Sequence, residues 1–137
     1  MQMKNSSIIV VIIFSLIGCH SNNAELQKRI SNADSIAINY FRGDGSMDTV
    51  IAVRIVRDKE NINRLASFVS ARSIQPDYKC GADGSLHFFK INKVIQDIDF
   101  RMGSVDCKQF TFLQHGQLKG SKLSGEAKKL LEELKNK

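Results

Sequence analysis

Tryptophan is absent from this chain of 137 residues, proline occurs once and cysteine three times. So little proline, with no Gly-X-Y period and no biased tract, excludes collagen-like and low-complexity chains. The balance of 42% hydrophobic and 25% charged residues is that of one ordinary globular domain and argues against two domains or a disordered tail. Several motifs are missing as well. There is no Cys-x-x-Cys for redox exchange and no Gly-x-Ser-x-Gly around a nucleophile. Gly81-Ala82-Asp83-Gly84 has no lysine and no helix after it, so it is not a P-loop.

No apolar run approaches the about 20 residues that a membrane-spanning helix needs. The longest is Ile8 to Phe14, extended by Ser15-Leu16-Ile17, after a polar start whose one cation is Lys4. That layout is a secretory signal and not a permanent anchor helix. The run ends in Leu16-Ile17-Gly18-Cys19. This resembles the lipobox of bacterial lipoproteins. The resemblance implies a diacylglycerol on the Cys19 thiol, cleavage between Gly18 and Cys19, and a membrane partnership through acyl chains. With His20 in place of an aspartate retention signal, it further implies the outer membrane. Two or three acyl chains hold stably where one is marginal, at about 0.8 kcal/mol per buried methylene.

If Cys19 is lipidated, Cys80 and Cys107 remain as a pair outside the cytoplasm, where a disulfide is the economical reading and two unpaired buried thiols the alternative. Net charge is +6, or +5 with 19 basic residues against 14 acids once Lys4 is removed. That mildly favours acidic partners or anionic surfaces.

Periodicity divides the chain into a signal peptide over 1–18, a short anchor segment over 19–34 and a single α+β domain over 35–137. In the anchor segment Leu26 and Ile30 are spaced for a short helix over Ala24 to Asn32. From Ser35 the period becomes two, and Gly43-Asp44-Gly45 supplies turn chemistry before the β-branched stretch Met47 to Val56, which reads as a hairpin. Asp58 suits an N-cap, and Ile62, Leu65, Ala66 and Val69 form one stripe of a helix closed by Pro76. Leu86 to Ile91, Val94 to Arg101, Lys108 to Gln114 and Leu118 to Leu123 read as four further strands. Ser124 caps a last helix with the stripe Leu123, Ala127, Leu130, Leu131 and Leu134. The expectation is an antiparallel sheet of about six strands with two main helices on one face.

Few residues stand out as chemistry. Cys80, His87, Cys107 and His115 are the right types for zinc, but their intervals match no compact metal module. Asp97 and Asp99 share one side of a strand with Arg101, and paired carboxylates can divide acid and base roles. Val94, Ile98 and Phe100 are expected on the opposite, core side, which leaves the acids solvated. Asp44-Gly45-Ser46-Met47-Asp48 begins like a calcium loop, but Thr49 and Ile55 stand where an EF-hand needs glycine and an acid. Phe88, Phe89, Phe100, Phe110 and Phe112 interleave with Lys90, Lys93, Arg101 and Lys108, a pattern shared with single-strand nucleic-acid platforms. An envelope address and core packing account for it better, so no nucleic acid is expected. No metal or other cofactor is expected either.

The stretch from Cys80 to Gly84, an aromatic strand, and then Cys107-Lys108-Gln109-Phe110-Thr111-Phe112 resembles small uncharacterised envelope lipoproteins. That resemblance implies a Cys80–Cys107 pair and a β-rich body, and carries no activity with it. The expected function is non-catalytic binding of an envelope protein or glycan by a lipid-anchored protein. The alternatives are an inhibitor or immunity protein against a lytic enzyme, and a hydrolase with an unrecognised site. Lytic enzymes are usually basic, so an inhibitor of +5 would have to gather its acids locally.

Overall fold

The computed structural model describes residues 23–44, 46–103 and 105–137. Cys19 and the proposed signal peptide lie outside the described residues. Among the described residues three α-helices, α1 (Ala24–Ile30), α2 (Lys59–Val69) and α3 (Gly125–Lys135), accompany seven strands. The strands are β1 (Ser35–Phe41), β2 (Val50–Val56), β3 (Ser73–Ile74), β4 (Gly84–Lys90), β5 (Lys93–Arg101), β6 (Gln109–Gln114) and β7 (Gln117–Lys122). They form one open antiparallel sheet in the order β2-β1-β4-β5-β6-β7-β3. The α+β class and the antiparallel sheet agree with the sequence reading, while the counts differ from about six strands and two main helices. The added strand is the two-residue β3, and the third helix is α1, read from the sequence as a short helix over Ala24 to Asn32 of the anchor segment.

Local chemistry explains the element ends. The Asp58 side chain accepts from the Asn61 amide at 3.0 Å, and Ser124 Oγ from the Ala127 amide at 3.1 Å. Each satisfies an amide that the first helical turn leaves unpaired. Asn23 caps α1 in the same way at 3.1 Å. β2 begins at Val50 and not at Met47, because the Asp44 carboxylate accepts the Ser46 amide at 2.9 Å and Asp48 accepts from the Ser46 hydroxyl, folding the chain into a turn.

All three helices lie on one face of the sheet. From that face Tyr40 donates its hydroxyl to the Leu131 carbonyl of α3, Ser121 donates to the Val69 carbonyl of α2, and Gln96 accepts from Arg29 of α1 at 2.9 Å. The stripes of α2 and α3 are buried against β1, β4, β5 and β6 as the periodicity requires, together with Leu26 and Ile30 of α1. Tyr40 and Phe100 flank Gly84 in one cross-strand row and meet edge-to-face over it, with ring centroids 5.8 Å apart. A side chain at Gly84 would strike Phe100 and the Asn39 carbonyl at 2.3 Å, so the row requires glycine.

Val94 corrects the sequence reading. It was expected in the core and is 48% exposed. Phe89 pairs with Val94 but Phe88 with Gln96, so Ile95 is an extra residue in β5. Such a bulge inverts the side-chain alternation, turning Val94 outward and Gln96 inward. Cys80 and Cys107 are joined by a disulfide with their Cα atoms 5.5 Å apart, tying the loop before β4 to the turn before β6.

Candidate functional site

Strand alternation sends Ser85, His87 and Phe89 of β4 to the face that the helices do not cover. Two cross-strand rows run across this open face. One places Val53, Asn39, Ser85, Asp99 and Thr111 in register, and the next places Ile55, Ala37, His87 and Asp97 in register. The centre of the face is therefore polar, and its two flanks are apolar.

On the β2 flank, Ile51, Val53 and Ile55 are 52%, 51% and 49% exposed, at alternate positions of an edge strand. On the other flank a cleft of about 500 Å³ has Val94, Ile95, Leu113 and Leu118 among its lining residues, together with Asp97 and Asp99.

The polar centre is a connected hydrogen-bond chain. His87 Nδ1 lies 2.6 Å from Asp97 Oδ1, while His87 Nε2 lies 3.0 Å from Ser85 Oγ and 3.1 Å from Asn39 Nδ2. The Asn39 amide nitrogen only donates, so Nε2 is the acceptor and Nδ1 carries the proton toward Asp97. Ser85 is 5% exposed, lying between Asn39 and Asp99 in its row. Asp99 is an exposed residue of this face, yet partial desolvation of its carboxyl raises its pKa from the ordinary value; attraction to His87 opposes the rise and repulsion from Asp97 adds to it.

The residues singled out in the sequence fall in separate places. His87, Asp97 and Asp99 meet on the open face, whereas His115 lies in the β6–β7 turn, with Nε2 2.9 Å from a Glu25 oxygen. Arg101 donates to Asp83 at 2.6 Å, which also accepts the Met102 amide, and this is the anchorage of the segment before β4. The four potential zinc ligands are not brought together, since Cys80 and Cys107 are bonded to each other and the histidines hold different carboxylates. Phe88, Phe100, Phe110 and Phe112 are buried beneath the helices.

Ser85 and Asn39 were missed by sequence reasoning. Their signal is alternation, Ser85-x-His87 on one arm of a hairpin with Asp97 on the other, which becomes legible only once the hairpin register is known. Compared with protein-family models, with curated proteins and with solved structures, the chain matches none. No helix among the described residues is long and apolar enough to cross a membrane.

Proposed function

We propose that this chain is a lipid-anchored protein of the bacterial cell envelope, outer membrane by preference, which binds an envelope protein through the open face of its sheet. The lipobox Leu16-Ile17-Gly18-Cys19 supports the anchor. The observation that carries the binding reading is the aliphatic pair Val53 and Ile55, half-exposed in register with Asn39 and Ala37 on the face that the described helices leave uncovered. Adjoining apolar side chains beside hydrogen-bonding groups are the composition of a protein interface.

A photo-crosslinking residue placed at Val53 should give one discrete adduct in cells, and the same residue at Glu132 of α3 should give none. The adduct should vanish when Ile55→Asp is added to the chain. Equal crosslinking from both positions would remove the open face as the binding surface. The inhibitor or immunity reading draws support from Asp97 and Asp99, which gather acids on this face of a basic chain. Protection of cell walls from a basic lytic enzyme, lost on Asp97→Lys, is its test.

A further inference from the structure

We propose that Ser85, His87 and Asp97 form an ester-hydrolysing site on the open face, with the acyl part of the substrate seated in the neighbouring cleft. A serine becomes a nucleophile when its hydroxyl is within hydrogen-bond reach of a base and a third group orients that base. Ser85 Oγ stands 3.0 Å from His87 Nε2, and Asp97 Oδ1 stands 2.6 Å from the opposite ring nitrogen. Asn39 fixes the tautomer, because its donor at 3.1 Å requires a lone pair on Nε2. The three side chains belong to two adjacent strands of the sheet interior, which holds them more rigidly than loops would.

The chemistry is complete without a further co-reactant than water. Ser85 Oγ attacks the ester carbonyl carbon and its proton passes to Nε2. The C–O bond to the alcohol breaks, and the alcohol leaves with that proton. Water then attacks the acyl group on Ser85, again giving its proton to Nε2, and the carboxylic acid departs as Oγ regains a proton. Asp97 holds the imidazolium formed in each half. Asn39 is in register with Ser85, and its Nδ2 lies on the same ring nitrogen as the serine hydroxyl. Besides Asp97 and Asp99 the cleft wall includes the aliphatic side chains of Val94, Ile95, Leu113 and Leu118, with Gln96, Thr111 and Phe112. A linear or branched aliphatic acyl chain fits the aliphatic part of that wall, and an anionic acyl group is disfavoured by Asp97 and Asp99. Asp97 is the positioning residue of the three, since it acts through His87.

The test uses the full-length chain in detergent, with a fluorophosphonate probe and with p-nitrophenyl acetate and octanoate. One phosphonate adduct on the peptide containing Ser85 is expected, with octanoate preferred over acetate. Ser85→Ala and His87→Gln should each lower hydrolysis by about 10² or more. Asp97→Asn should lower kcat with KM unchanged, and Leu113→Asp should erase the octanoate preference with acetate hydrolysis retained. Wild-type protein with a cooperative melt that takes no adduct on Ser85 overturns the proposal, whatever the variants do. Hydrolysis undiminished in a folded Ser85→Ala variant overturns it too. Partner crosslinking from Val53 is a separate readout and is unaffected by either outcome.

Discussion

Tyr40 in β1 donates its hydroxyl to the Leu131 carbonyl in α3 at 2.6 Å, joining residues 91 apart in the chain at the point where the last helix lies on the sheet. The ring is 1% exposed, is packed edge-to-face on Phe100, and has the Lys135 ammonium 5.5 Å from its centroid. Burial pushes the Tyr40 pKa up to about 12, with Arg54 pulling slightly the other way. The folded state thus keeps the phenol neutral while an unfolded chain ionises it near pH 10. Stability from this source is fully present below pH 10 and lost as pH rises through 12, by about 3 kcal/mol. Denaturant unfolding at pH 8 and pH 11.5 should show the fall. Tyr40→Phe should cost about 1 kcal/mol at pH 8 and flatten that alkaline fall.

Asp99 titrates in the opposite part of the scale but with the same sign of linkage. Its folded pKa is raised, chiefly by burial, so the contribution to stability is present below the unfolded value near 4 and is lost as pH rises through the folded value. Asp99→Asn should therefore match wild type in stability at pH 3 and exceed it at pH 7. A melting series over that window reads the difference, and a variant less stable at pH 7 would show that the carboxylate is held by a favourable partner.

The last helix should behave as core. Leu130, Leu131 and Leu134 are buried, at 2%, 0% and 5% exposure. Truncating a buried leucine costs about 2–5 kcal/mol. Leu130→Ala and Leu134→Ala should each lower the melting temperature, and variants that melt like wild type yet lose partner crosslinking would make the helix an interaction surface.

The disulfide encloses the β4–β5 hairpin, joining cysteines 27 positions apart in the chain. On the chain-entropy model, closing such a loop stabilises by about 3.5 kcal/mol. Non-reducing peptide mapping should find one linked peptide, and reduction should move the unfolding midpoint by the corresponding amount. Unfolding that is indifferent to reductant would remove the bridge from the account of stability.

Cys19→Ala should abolish palmitate labelling and leave an uncut or soluble precursor. Label retained at wild-type level would exclude the lipobox at Leu16-Ile17-Gly18.

The amphipathic stripes of α2 and α3, the Asp58 and Ser124 caps and the strand segments were legible because each is set by neighbours a few residues apart. The two-residue β3 was not. Ser73 and Ile74 carry no periodicity of their own and become a strand only by pairing with Ser121 and Gly120 of β7. The apolar spacing of Leu26 and Ile30 was readable as a helix, but their complete burial depends on a sheet assembled from residues far downstream.

The candidate site shows the same division at a finer scale. Sequence alone placed His87 on a strand, set Asp97 and Asp99 on one side of another, and left Cys80 and Cys107 as the available pair. It could not say which acid His87 meets. The two-residue turn at Ile91-Asn92 pairs Lys90 with Lys93, and an unbroken ladder from there would set His87 opposite Gln96. The extra residue Ile95 shifts the register so that His87 faces Asp97 and Ser85 faces Asp99, while Val94 turns outward to line the cleft. Composition and short-range periodicity determined the elements and their buried sides, because those depend on local backbone geometry. The tertiary structure decided the register, because a bulge is settled by how β5 fits between β4 and β6 under a shared helical layer, and one residue of slip sends every side chain to the other face.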